Sequence, residues 1–279
     1  MNYFKFTPCE ALRPFVECYY VWQSEEGELL SQFMVESPPN GFCSIVFNLG
    51  DPYSIQSQKY PSLQVPLHFL CGQNIHSYKL ILNGRLSMAG IVFKPTGLAS
   101  LLHLPVYEYT EERVDLKQLF DPEEIEATAD VLRQQQSANE RARLLEDFLL
   151  KHAVDPLPQP DAIDEAACQI VASNGLLHIN DLIRNACMSR RNFERRFFKK
   201  VGLSPKYYAR IRRMSYIGNL IAGKSKVDWA SIFYTCEYYD QSHFSKDFIE
   251  FTGRTPQQYL QENRELAHFV KKPREEPLH

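Results

Sequence analysis

The sequence predicts an α+β multidomain protein. An antiparallel β-rich first part, of sandwich or barrel type with added helices, precedes an all-helical part that contains two helix-turn-helix units. Three observations carry this. The chain of 279 residues is long enough for two hydrophobic cores. A stretch with prolines at 156, 158 and 160 stiffens the chain against helix and reads as a linker over 154–160. Past that linker, the apolar period changes from strand-like to helical, and a repeat appears.

Before the linker, short apolar or alternating runs at 15–22, 42–49, 68–71, 78–82 and 86–93 read as strands. Turn clusters separate them, among them Pro38-Pro39-Asn40-Gly41, Gly50-Asp51-Pro52 and Asn83-Gly84. Asn-Gly between two such runs predicts a hairpin. Asp121-Pro122-Glu123-Glu124 opens one helix, with proline in the first turn and acids near the positive end of the dipole. A second spans about 137–152, where Leu144, Leu145, Phe148 and Leu149 form one apolar stripe. That stripe is the candidate dimer surface of this half, against the alternative that it covers the β domain.

After the linker, Ile163, Ala166, Ala167, Ile170 and Val171 fall on one helix face, with Asp161 as the expected N-cap. Phe193, Phe197, Gly202, Ser204, Pro205 and Tyr208 return 51 residues later as Phe244, Phe248, Gly253, Thr255, Pro256 and Tyr259. Just upstream the offset is 50, pairing Leu182 with Ile232, Ile183 with Phe233 and Ala186 with Cys236. One residue has been added in the second turn. Each copy reads as a short helix, a turn, a longer helix, a glycine stop and a Ser/Thr-Pro start. That order places a second helix in a DNA major groove. Between the copies, 205–222 reads as one helix that buries Tyr208, Ile211, Met214, Ile217, Gly218 and Ile221. It is long enough, at roughly 27 Å, to hold two reading helices near one turn of DNA.

Charge supports the same reading. Residues 1–159 carry 12 Lys and Arg against 20 Asp and Glu, whereas 160–279 carry 19 against 14. Within 184–226 there are 13 basic residues and one acid, Glu194. Such a block stays solvated or meets a polyanion. In the first copy Arg190 opens the second helix, and Arg191, Arg195 and Lys199 share the face opposite the phenylalanines. Arginine there can bond guanine O6 and N7 together. Gln241, Ser242, His243 and Lys246 hold the matching positions of the second copy. Double-stranded RNA hides its major-groove edges from a helix, so double-stranded DNA is the expected partner.

Residues 161–262 resemble the DNA-binding domain of the AraC family of bacterial transcription regulators. The motifs are Ala186-Cys187-Met188-Ser189-Arg190-Arg191-Asn192-Phe193, the run from Tyr238 to Phe248, and the run from Phe251 to Tyr259. The resemblance implies base-contacting roles for Arg191, Glu194, Arg195, Gln241, Ser242 and Lys246. It departs at Cys187 and Glu237, where members usually carry glycine. The resemblance further implies a cupin-like effector-sensing or dimerising domain over 1–153, with 161–265 as the double helix-turn-helix domain and 266–279 as a tail. A small-molecule effector, RNA polymerase and a second copy of the chain are the partners such regulators take.

Within 1–153, Trp22, Glu36, Phe47, Phe69 and Phe93 are the candidate ligand-lining residues, with Glu36 and Asp51 read first as surface carboxylates. His68, His76 and His103 lack metal-ligand spacing, so no metal and no cofactor are expected. No nucleophile elbow or phosphate loop appears, and a catalytic cupin fused to a DNA-binding module is the alternative to a non-enzymatic regulator. The seven cysteines are scattered without a Cys-x-x-Cys pair, so reduced thiols are expected. The first residues lack a signal-peptide layout and no apolar run approaches a membrane span, which points to the cytoplasm and away from membranes.

Overall fold

The computed structural model describes residues 1–262 except 223 and 225, and residues 274–278. Eleven strands form two sheets: β1 (Asn2–Thr7), β2 (Val16–Gln23), β3 (Leu30–Ser37), β4 (Ser44–Asn48), β5 (Ser54–Ser57), β6 (Leu63–Gln64), β7 (His68–Cys71), β8 (Tyr78–Gly84), β9 (Ser87–Phe93), β10 (Arg113–Asp115) and β11 (Arg274–Pro277). The larger sheet runs β10-β7-β4-β9-β2-β1-β11, and the smaller runs β3-β8-β5-β6. All pairings are antiparallel except β1 with β11, which is parallel.

Both faces of the larger sheet are buried, and the two-residue period divides its side chains between two cores. Tyr19, Val21, Ile45, Phe47, Leu70, Ile91 and Phe93 face the helices α1 (Gly97–Leu102), α2 (Pro122–Gln134) and α3 (Ala138–His152). Their strand neighbours Val46, Phe69, Cys71 and Met88 face the smaller sheet. Helix α3 starts where the sequence places it, at a Ser137–Glu140 capping box. Its apolar stripe is core rather than dimer surface. Leu145 and Leu149 are completely buried, Phe148 nearly so, and Phe148 packs edge-on against Phe47.

The Asn83-Gly84 hairpin does not form. Gly84 ends β8 in the smaller sheet, and β9 belongs to the larger one. Its positive φ of 76° serves a corner between sheets, where Asp51 Oδ2 accepts from the Arg85 amide at 2.6 Å. The same bond makes Asp51 a corner cap. The 154–160 stretch is also less free than a linker reading implies. The Val154 amide donates to the Leu101 carbonyl at 2.9 Å, and Leu157 packs on the first core.

The helical half has its own core. It comprises α4 (Ala162–Ala172), α5 (Ile179–Asn185), α6 (Arg190–Val201), α7 (Pro205–Ile221), α8 (Trp229–Thr235), α9 (Gln241–Thr252) and α10 (Pro256–Glu262). Asp161 caps α4 as expected, accepting from the Ile163 and Asp164 amides. Buried Phe193, Phe197, Phe244, Phe248 and Tyr208 anchor the repeat, each phenylalanine contributing about 1.5–3 kcal/mol by leaving water. The residue added to the second turn is real: four residues separate α5 from α6, and five separate α8 from α9.

Candidate nucleic-acid interface and inter-sheet cavity

Each helix-turn-helix unit is set by local chemistry. Ser189 Oγ accepts from the Asn192 amide to open α6, and Asp240 accepts from the His243 amide at 2.7 Å to open α9. Gly202 and Gly253 close these helices at φ 83° and 72°. Within the turns, Cys187 and Glu237 take φ 50° and 53°.

Phenylalanines fix the rotation of both reading helices, and therefore which residues face out. Arg190, Arg191, Arg195 and Lys199 are exposed on α6, while Glu194 is half-buried. Glu194 accepts from Arg190 at 3.3 Å, and Arg195 donates to Asn192 at 2.9 Å. On α9, Gln241, Ser242, His243 and Lys246 are exposed, with the His243 ring edge-on to Tyr238. All nine sequence-selected residues thus lie on the two reading helices, five on the first and four on the second.

The basic block is narrower than its charge suggests. Lys200 reaches Asp164 at 2.7 Å, and Arg196 reaches Asp161 at 2.7 Å. Arg210 bonds Asp247 at 2.7 Å and Glu250 at 2.5 Å. Arg184 pairs with Asp181 at 2.5 Å, and as all these acids come from outside the block, four of its cations are balanced after all. Asp247 is nearly fully buried and also accepts from the Tyr238 hydroxyl at 3.1 Å. This network fixes α9 on α7, and it was invisible in sequence because its members lie far apart. Tyr234 and Tyr239, both almost fully exposed beside the second turn, were also not singled out.

Between the two sheets lies a cavity of about 360 Å³. Of the five candidate ligand-lining residues, Trp22, Glu36 and Phe69 border it; Phe47 and Phe93 do not. Those two occupy the opposite strand face, buried against the helices. Glu36 is no surface carboxylate: its side chain is 2% exposed and paired with Arg254, just beyond α9. Lys5, Tyr53, Tyr78 and Arg113 add polar groups to the cavity wall. Burial pushes the Tyr20, Tyr53 and Tyr78 hydroxyls above their ordinary pKa, so they stay protonated at neutral pH. Among the described residues no cluster of three His, Cys, Asp or Glu side chains could hold a metal.

The run 35–42 separates the cavity from the helical half. Val35, Glu36, Ser37, Asn40 and Phe42 border the cavity, and from the same run Glu36 pairs with Arg254 and the Asn40 carbonyl accepts from Arg212. Arg212 also lies over the Phe42 ring, 4.5 Å from its centroid. Gly41 is required here: φ is 68°, and a Cβ would stand 2.8 Å from the Tyr208 ring. A second contact stacks Tyr107 on Phe198 of α6, with centroids 5.5 Å apart.

Two repeated helix-turn-helix units with basic and amide side chains facing out define a DNA-binding protein. Residues 182–262 match the family profile described as a helix-turn-helix domain, and residues 4–115 match one described as a domain of unknown function, DUF6597. Residues 182–262 are thus a helix-turn-helix DNA-binding domain of the AraC type, as found in transcription regulators. A search of curated protein sequences returns no match. Among solved structures, ToxT from Vibrio cholerae is 13% identical, with 87% of this chain and 97% of that one covered at a TM-score of 0.44. A fatty-acid-bound ToxT from Vibrio cholerae strain SCE256 is 13% identical over 93% of each chain, at 0.42. The AraC-like activator CuxR is 13% identical over 74% and 85%, at 0.20. Likenesses this remote carry no conclusion about this chain. No helix among the described residues is long and apolar enough to cross a membrane.

Proposed function

We propose that α6 and α9 read successive major-groove segments of one duplex, and that a small molecule in the inter-sheet cavity sets how well they do so. Arg191 and Arg195 fit guanine edges, and Gln241 fits adenine. Glu194, held by Arg190, remains free to accept from cytosine N4 through its second oxygen. Ser242 and Lys246 complete the base-contacting set of the second unit, Lys199 and His243 supply contacts to phosphate, and Tyr239 at the second turn can donate to phosphate too.

The observation that carries the effector reading is the two-sided run 35–42. Val35 and Ser37 border the cavity, and Glu36, which borders it too, holds Arg254 of the helical half, so a displacement on the cavity side moves groups on the other. A ligand acts only through differential affinity for two arrangements of this contact. The test fills the cavity by substitution. Val46→Trp is compared with wild type on a duplex that the protein itself selects from a random pool, with and without Arg254→Ala. The expected result is a several-fold change in DNA affinity that disappears in the Arg254→Ala background. An equal change in both backgrounds rejects the coupling.

A further inference from the structure

We infer that the cavity takes a flat, aromatic carboxylic acid whose carboxylate is held by Arg113; this rests on the reading of the cavity as an effector site. Arg113 is the group that says most about an occupant. In strand register it stands opposite Cys71, which faces the smaller sheet, so Arg113 leaves β10 on the cavity side. Its guanidinium lies 4.9 Å from the centroid of Tyr78, a residue of the smaller sheet. The side chain therefore crosses the space between the sheets.

Its protein partners leave it short of negative charge. Nη2 donates to Asn74 Oδ1 at 2.7 Å and Nη1 to the Glu112 carbonyl at 3.1 Å, both neutral acceptors. The nearby carboxylates are engaged elsewhere. Glu111 bonds the His76 ring at 2.7 Å, and Glu112 takes Lys59 and the Tyr60 hydroxyl. Glu36, the one carboxylate among the described residues that borders the cavity, pairs through Oε1 with Arg254. A guanidinium in a mostly apolar cavity favours a planar monoanion, because two parallel N–H donors match the two carboxylate oxygens. The Tyr53 and Tyr78 hydroxyls, kept protonated by burial, can donate to the same anion.

The walls choose the body of the molecule. Tyr20, Trp22, Phe69 and Tyr78 present rings, and rings pack on flat partners in offset or edge-on geometry. Lys5 is the cavity's other cation and lies beside the Tyr3 ring, 6.0 Å from its centroid, whereas the planar Arg113 fork is the group shaped for a carboxylate.

Three probes of one shape test this on the full chain by calorimetric titration: 3-phenylpropionate, 3-phenylpropan-1-ol and 3-phenylpropylamine. The acid is expected to bind at least about tenfold tighter than the alcohol, and the amine weakest, as a charge-assisted bond requires. Arg113→Met should abolish the acid's advantage while leaving the alcohol's affinity unchanged. Arg113→Lys, which keeps the charge and the fold's polar balance, should retain a smaller preference for the acid. An acid that binds no better than the alcohol, or an advantage that survives Arg113→Met, overturns the carboxylate assignment and leaves the cavity reading standing. If none of the probes binds and Val46→Trp leaves DNA affinity unmoved, both readings fall.

Discussion

Cys187 and Glu237 stand fifty residues apart in the chain, at the same point of two turns, with φ of 50° and 53°. Both are forced into the left-handed region that glycine enters freely, at a cost of about 1–2 kcal/mol for other residues. Cys187→Gly and Glu237→Gly should each stabilise the helical half by up to about 1 kcal/mol, since glycine also adds entropy to the unfolded chain. Urea midpoints of the full chain, followed at the tryptophan near the second unit, check Glu237→Gly most directly. Unchanged or lowered midpoints for both variants would mean the strain is relieved elsewhere.

Salt dependence should count only the free cations. Arg191, Arg195, Lys199, Lys206, Lys224 and Lys226 are exposed, and no carboxylate pairs with any of them among the described residues. Lys226→Ala is expected to lower the slope of log K against log salt by about 1 and to weaken all duplexes alike. Lys200→Gln, whose amine is already held by Asp164, should leave that slope where it is. Arg195→Ala should cost about 1–3 kcal/mol on the selected duplex and far less on random DNA. Equal losses on both would remove Arg195 from the base-reading set.

The buried pair under α9 predicts a separate kind of loss. Asp247→Asn removes the charge that faces Arg210 but leaves Arg210 its bond to Glu250. Breaking a buried pair costs about 3–5 kcal/mol, and the retained partner puts this case near the lower end. Thermal unfolding should show that loss, with DNA affinity falling less for Arg191-dependent positions than for those under Gln241. An unchanged melting temperature would show that Tyr238 and Glu250 suffice.

His68 gives the first half a pH dependence. Its ring is buried against Phe47, with centroids 5.3 Å apart, and neither ring nitrogen has a hydrogen-bond partner among the described residues. Burial pulls its pKa below the ordinary value, opposed by the charge of Glu126 and Asp115 and reinforced by Arg133 and Lys117. The unfolded chain therefore binds this proton more readily. His68 contributes stability that is fully present above about pH 6.5 and is lost as pH falls toward its folded pKa. In His68→Phe the urea midpoint should change less between pH 7 and 5, on the order of that range. A profile as steep as wild type would assign the acid sensitivity to another group.

The helical half was largely legible because its signals are local. Asp161, Ser204-Pro205, Gly202 and Gly253 mark ends within one turn of where the backbone changes, and the phenylalanine spacing fixes the buried face. The sheets were less so. Ile45, Val46 and Phe47 are all buried, so β4 shows no polar alternation to say which side meets the helices. Phe47 and Phe69 therefore looked equivalent, although one packs on α3 and the other borders the cavity. Strands β1 and β3 passed unnoticed, and Glu36 looked superficial, because the groups that bury it arrive from more than two hundred residues away.

The parallel pairing of β11 with β1 gives the chain an unusual circuit. Residues 274–277 lie beside residues 4–7, after the chain has traversed both helix-turn-helix units. The DNA-reading half is therefore not a pendant on one leash: its chain leaves the first half at Val154, bonded to Leu101, and comes back to lie along β1. Between those ends Glu36–Arg254, Arg212–Asn40 and Tyr107–Phe198 add crossings of their own, so any reorientation of α6 and α9 must be made by sliding or breaking side-chain contacts while both ends of the arc stay fastened.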